Sequence, residues 1–277
     1  MVNALELKHV SKRYPGFLLK DVSFALPAGY IMGFIGENGA GKSTTIKLIL
    51  DVVKRDAGQI TVLGKDNLTG LLDVKADIGV VMDECCFPET LTLKNIDSVM
   101  WRMYPNWNQG TFWSLAKKYA LPDKKQVKDF SRGMKMKLSI AVALSHNAKL
   151  LILDEATSGL DPIVRDEILD EFLEFIQDES HAILLSSHIT SDLEKVCDYI
   201  TYIHQGEIVF SQPADQLQEQ FSLLKCSKEA FLKLDKNCVK GYKANRFGVE
   251  ALVERKKFTG GYSVEKPTLE DIMRLFR

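Results

Sequence analysis

Neither sign of charge dominates this chain. It carries 36 Lys+Arg against 37 Asp+Glu in 277 residues, a formal net charge of −1. That balance gives no global electrostatic reason to expect nucleic acid or a lipid surface as a partner. Cysteine is scarce: Cys85, Cys86, Cys197, Cys226 and Cys238 are the 5 present, an odd count without a C-x-x-C pair. Neither a disulfide framework nor a zinc site is suggested, and a reducing compartment is the simple inference. No apolar run reaches the length that spans a bilayer. Met1 opens a polar, strand-like stretch without the marks of a signal peptide, so any membrane role is expected to need a separate partner chain. Internal repeats, low-complexity segments and long coiled coils are missing too, as is an Asn-Lys-x-Asp guanine reader.

What is present is ordinary globular material: 45% hydrophobic and 26% charged residues, enough chain for one large domain with a smaller appendage. The charge is uneven. Residues 221–277 hold 13 Lys+Arg against 7 Asp+Glu. That excess marks either a separate C-terminal module or solvated surface.

Alternating patterns predict strands over 3–14 and 20–27, and buried strands over 30–36, 58–64, 78–82, 150–154 and 182–187. Helical spacing predicts helices over 42–53, 162–179 and 190–197. Residues 199–211 read as a hairpin turning at Gln205-Gly206. Strands alternating with helices indicate a parallel α/β core. Residues 90–146 interrupt it as a helix-rich block that carries Trp101, Trp107 and Trp113.

The segment 36-GENGAGKST-44 fits G-x-x-x-x-G-K-[ST] between a strand and a helix. Gly36, Gly39 and Gly41, with Glu37, Asn38, Ala40 and Thr44, would let backbone N–H groups curl around phosphates. Lys42 would reach the β- and γ-phosphates and Ser43 would ligate Mg²⁺. The apolar run 150-LLILDE-155 delivers two carboxylates to a strand end, where ligands bind in open α/β sheets. Asp154 would hold Mg²⁺ and Glu155 would orient or deprotonate the attacking water. His188 ends 182-AILLSSH-188 at the same sheet edge, as a structural residue or as a hydrogen-bond partner of the γ-phosphate or the water. Asp161 in 157-TSGLDP-162 fits the N-cap of a helix opening at Pro162, a role compatible with a functional one.

In 129-DFSRGMKMKLSIAVALSH-146, Met134, Leu138, Ala141 and Val142 recur at helical spacing, so a helix opens near Arg132. Ser131 caps it, or the helix start, free of acidic residues, meets an anion. No partner for such an anion lies nearby in the chain.

The ordered set GENGAGKST, FSRGMKMKL, LLILDE, SGLD and SSH resembles an ATP-binding cassette ATPase, the nucleotide-binding subunit of ABC transporters. The resemblance covers about residues 3–215. It implies a P-loop NTPase core of α/β class, a mixed sheet with helices, with an inserted helical subdomain at about 90–146. Domain limits of 1–215 for the ATPase and 216–277 for a small α+β extension follow; the extension is regulatory, dimerising or without a ligand. The likeness implies ATP and Mg²⁺ as cofactors, Tyr14 stacking on the adenine, and a transmembrane permease docked on the helical subdomain. It also implies a homodimer or heterodimer in which Ser131 and Gly133 of one subunit cap the γ-phosphate on the other's P-loop. The expected activity is ATP hydrolysis that drives an exporter, at the cytoplasmic face of the membrane and held there by the permease. No nucleic acid is expected, although a soluble cassette ATPase acting on nucleic acid or ribosomes is the alternative. Four positions depart from the family pattern. Arg132 and Met134 replace residues of the Leu-Ser-Gly-Gly-Gln signature, Asp83 stands where a Mg²⁺-contacting glutamine is usual, and Ala156 stands where Pro is frequent.

Overall fold

The protein was described from a computed structural model covering residues 2–259 and 261–276. It forms two compact units, Met1–Ser211 and Gln212–Arg277. The first unit opens with β1 (Asn3–Tyr14), β2 (Phe17–Pro27), β3 (Ile31–Ile35), α1 (Lys42–Ile49), β4 (Ala57–Val62), β5 (Lys65–Asp66), α2 (Leu71–Val74) and β6 (Ile78–Val81). Three helices follow: α3 (Leu93–Met103), α4 (Gln109–Lys118) and α5 (Arg132–Leu144). Then come β7 (Leu150–Asp154), α6 (Pro162–Phe175), β8 (Ala182–Ser186), α7 (Thr190–Val196) and β9 (Tyr199–His204), and the unit ends within β10 (Glu207–Pro213).

These strands make two sheets. One is antiparallel, in the order β2-β1-β4-β5; the other has the order β10-β9-β3-β8-β7-β6. In the second, β9, β3, β8, β7 and β6 run parallel. The alternation along β1 points Leu5 and Leu7 inward, opposite Leu26 and Phe24 of β2 and Val62 and Ile60 of β4. Those side chains share one core with Phe34, Ile152 and Leu184 of the parallel sheet and Ile46 of α1. Each such buried side chain contributes about 1.5–3 kcal/mol relative to exposure. β3, β7 and β8 are buried along their whole lengths, as strands covered on both faces must be.

The helical block has its own core of Leu93, Ile96, Phe112, Leu138 and Ala141. Two of the tryptophans, Trp107 and Trp113, are anchored by a residue the sequence pattern did not single out. Buried Asp97 accepts hydrogen bonds from Trp107 Nε1 at 2.8 Å, Trp113 Nε1 at 2.9 Å and Gln109 Nε2 at 3.2 Å. Two helices are shorter than expected. α1 stops at Ile49 rather than residue 53, because Asp51 turns left-handed with φ 54°. α6 stops at Phe175 rather than 179, where the Asp178 carboxylate holds Ser180 in a turn. The hairpin falls at the expected place, with Gln205 at φ 47° and Gly206 at φ 83°.

The second unit contains α8 (Ala214–Gln220), β11 (Phe221–Cys226), α9 (Lys228–Leu232), β12 (Val239–Ala244), β13 (Val249–Glu254), β14 (Val264–Glu265) and α10 (Leu269–Leu275). Its antiparallel sheet has the order β12-β13-β11-β14 around a core of Leu224, Phe231, Ala251 and Val253. A reciprocal cap between Thr268 and Asp271 starts α10. Cys85, Cys86, Cys197, Cys226 and Cys238 are all free. Among the described residues no helix is long and apolar enough to cross a membrane.

Candidate active site

The parallel sheet sets β3, β8 and β7 side by side, so their C-terminal ends make one edge. β3 runs into the glycine loop there. A Cβ on Gly36 would lie 2.5 Å from the carbonyl oxygen of Ile203, so only glycine lets the loop pass. Gly41 opens α1 at φ 118°, a backbone that L side chains rarely adopt, and leaves that helix without a side-chain cap. Lys42 is only 6% exposed; its Nζ donates to Gly36 O at 2.7 Å and lies 3.6 Å from Glu155 Oε1.

β7 ends in Asp154, which is 4% exposed. Its Oδ1 accepts from Ser186 Oγ at 2.7 Å, on the strand-paired neighbour in β8. Glu155 then turns left-handed, at φ 53°. For a residue other than glycine that backbone costs about 1–3 kcal/mol. The turn leaves the Glu155 side chain 15% exposed, with Oε1 toward Lys42 and Oε2 at 2.6 Å from His188 Nδ1. Lys42, Glu155 and His188 thus form one chain of contacts at the sheet edge.

A cavity of about 520 Å³ opens at this edge, with Lys42, Ser43, Thr44, Asp83, Asp154 and Glu155 among its walls. Glu37, Asn38, Gly39 and Gly41 complete the loop side, while Ala40 is buried behind it. Phe17 lines the cavity, whereas Tyr14, its cross-strand partner at the tight turn, is not among the walls. The sequence reading passed over Phe17, although its place beside a strand turn matches that of Tyr14.

The donor set suits magnesium. Ser43 and Asp154 offer hard oxygens on one wall. Among the described residues no group of three or more His, Cys, Asp or Glu is placed to hold a metal unaided. Mg²⁺ is commonly held this way, by one or two carboxylates with water and substrate phosphates rather than an all-protein cage.

Ser131, Gly133 and Asp161 lie elsewhere. Ser131 is the exposed N-cap of α5, its Oγ accepting from Met134 N at 3.2 Å. Asp161 caps α6 by accepting from Val164 N at 3.0 Å. The two helix starts are neighbours, since a Cβ on Gly133 would sit 3.8 Å from Leu160 Cδ2. Neither Ser131 nor Gly133 lines the cavity at the glycine loop. His146 is a further buried polar residue that sequence reasoning missed. It stacks on Tyr104 with ring centroids 4.2 Å apart, and its nitrogens face Val142 O at 3.1 Å and Ile78 O at 3.2 Å. Burial pushes its imidazole below the ordinary value.

A family model described as ABC transporter matches residues 19–158, more than half of the chain. The chain belongs to the ABC transporter family. This ABC subunit is 35% identical over 224 residues to the lantibiotic transport ATP-binding protein SrtF of Streptococcus pyogenes, covering 79% of this chain and 96% of that one. It is 29% identical over 218 residues to the ABC transporter ATP-binding protein YtrB of Bacillus subtilis, covering 78% and 74%. A solved ATP-binding subunit of an ABC transporter superposes with a TM-score of 0.72 at 28% identity, over 78% of this chain and 92% of that one. The ABC subunit is thus an ATP-hydrolysing enzyme with an α/β P-loop core, a helical subdomain and a C-terminal extension.

Proposed function

We propose that this ABC subunit is one half of a head-to-tail ATPase sandwich that drives an exporter whose permease is a separate membrane chain. The observation that carries this reading is a separation. The phosphate-facing loop with Lys42, Asp154 and Glu155 lines one cavity, while Ser131 and Gly133 start a helix outside it. A capped helix start with an exposed serine suits an anion brought by a second subunit. The export direction rests on the resemblance of the single cassette and its Ser-Arg-Gly-Met-Lys signature to exporters with a separate permease chain. The place of work is the cytoplasmic face of the membrane. The first unit serves as ATPase domain, with the block 90–146 as its permease-facing subdomain. The second unit serves as an accessory regulatory or dimerising module.

On this reading the residues take the following roles. Lys42 Nζ exchanges its bond to Gly36 O for the β- and γ-phosphates of ATP, which the amides of residues 37–44 cradle. Tyr14 and Phe17 offer aromatic faces to the adenine. Ser43 and Asp154, with Asp83 across the cavity, would hold Mg²⁺, which supplies positive charge against the phosphate oxygens. Glu155 takes a proton from the attacking water as the water oxygen bonds to the γ-phosphorus and the bond to the β,γ-bridging oxygen breaks. His188, 2.6 Å from Glu155, fixes that carboxylate and reaches the γ-phosphate. Ser131 and Gly133 of the facing subunit cap the same phosphate, and Asp161 holds the adjoining turn. Positioning and charge stabilisation carry most of the rate.

The test is the mass of purified Glu155→Gln by light scattering. A dimer with Mg-ATP and a monomer with Mg-ADP are expected. A monomer under both conditions removes self-pairing and leaves only a heterodimer or a permease-held pair. Transport in vesicles carrying the co-purified permease decides direction: cargo moving toward the ATP side would overturn export.

A further inference from the structure

Two of the residues that depart from the family pattern meet each other. Arg132 Nη2 donates to Asp83 Oδ1 at 2.8 Å, across 49 positions of chain. The side chains are 55% and 51% exposed. The same guanidinium lies against Gly159, where a Cβ would sit 2.8 Å from Nη1 and 2.9 Å from Cζ, at φ +68°. One cation therefore ties together the end of β6, the start of α5 and the turn that leads to α6.

Asp83 is also a shared wall. It lines the cavity that holds Lys42, Ser43 and Asp154, and it lines a neighbouring cavity of about 460 Å³ that holds Arg132 and Lys135. A carboxylate in that place has two possible cationic partners. The one in this chain is a guanidinium more than half exposed, and exposed ion pairs are weak and readily exchanged. The other is a divalent ion brought into the phosphate cavity, which attracts a carboxylate more strongly than a single charge does.

The geometry points to an exchange latch: Asp83 pairs with Arg132 until Mg²⁺-nucleotide draws the carboxylate over, and the exchange frees Arg132 and the start of α5. The inference rests on the proposed phosphate role of the glycine loop. Arg132 is a positioning residue, acting on how the starts of α5 and α6 are held, while Asp83 is the group that changes partner. In the absence of Mg²⁺ the latch also shields the nucleotide from the charge of Asp83.

The test uses the full chain and a fluorescent non-hydrolysable ATP analogue, titrated in Mg²⁺ and in EDTA. The readout is the ratio of the two dissociation constants, EDTA over Mg²⁺. Arg132→Ala leaves Asp83 unpaired, so binding tightens in Mg²⁺ and weakens in EDTA. The ratio is expected to rise about twofold to fivefold, the size of coupling in exposed ion pairs. Asp83→Asn lowers the ratio, and adding Arg132→Ala in that background changes nothing further. Arg132→Lys, which keeps the charge without the planar fork, falls between wild type and alanine, and serves in place of alanine if that variant melts early. An unchanged ratio in Arg132→Ala, or the same change with Asp83→Asn present, overturns the latch. Lys42→Ala separates the two readings. If it binds the analogue as wild type does, the phosphate role of the loop fails. If it loses binding while the Arg132 variants behave as wild type, only the latch fails.

Discussion

Two helix starts in this subunit are suited to an anion, and they are finished in opposite ways. α1 begins after Gly41 with no capping side chain, so its first N–H groups stay available. A buried lysine and the carboxylates of β7 surround that start. α5 begins with Ser131, whose own hydroxyl takes an N–H, on an exposed surface outside the same cavity. The first start is furnished with everything a phosphate needs except the phosphate. The second has a donor set without a reaction centre. The contrast teaches that motif content alone does not place two helix starts in one cavity; in the proposed sandwich, two copies meet to do so.

The most damaging way to strip the first start is Glu155→Gln. Phosphate release is expected to fall by about 10²–10⁴-fold, the usual contribution of a general base, while fluorescence titration shows nucleotide binding unchanged. Equal loss of binding would make Glu155 part of the binding wall instead. The next experiment breaks the comparison directly. Lys42→Ala and Ser131→Ala chains, each inactive alone, are mixed in equal amounts. If the starts pair between subunits, half of the dimers are mixed and each carries one intact site, so about a quarter of the wild-type rate returns. No recovery on mixing would place both starts in one working chain.

A milder perturbation loosens the far end of the helix that carries the second start. His146 joins α5 to β6 through its contacts with Val142 O and Ile78 O. Its folded value lies below the ordinary 6.5, chiefly through burial, so the unfolded chain takes up the proton first. Stability is therefore full above pH 6.5 and is lost as pH falls from there toward the folded value. Amide protection factors, which remove the intrinsic pH dependence of exchange, are expected to fall in α5 below that pH and to stay constant in α1, with His146→Gln abolishing the difference. The smallest effect belongs to the exposed Arg132–Asp83 pair. Its loss in Arg132→Ala is expected to cost about 0–1 kcal/mol by urea denaturation, less at high salt.

Local pattern made much of this legible. The glycine loop, the LLILDE strand, the Ser131 cap and the Gln205-Gly206 turn all follow from short-range rules of conformation and capping, and each stands where the sequence put it. What escaped was tertiary. The antiparallel sheet depends on β1 pairing with β4, about fifty residues away, which no local period encodes. α1 ends early on a left-handed Asp51 that could equally have been helical. Asp97 looks like any surface acid until two indoles converge on it. Phe17 and Tyr14 face each other across the same tight turn, and only Phe17 lies in the cavity wall. Asp83 and Arg132 could each be seen as unusual, but their meeting lies 49 positions apart in the chain.

The strand order has a consequence for how the protein comes into being. β3 sits between β9 and β8, and β8 separates it from β7. The glycine loop is therefore made long before its neighbours: Glu155 follows Lys42 by 113 residues and His188 by 146. At about 5–20 residues per second of synthesis, the loop waits roughly 7–30 s on the ribosome before the strand that separates it from Asp154 has been made. Until then nucleotide has no finished site to bind, so ATP cannot guide the early folding of the chain that will consume it. Whatever protects that half-made sheet edge in the cell has to act on a P-loop that is present in sequence and not yet present in space.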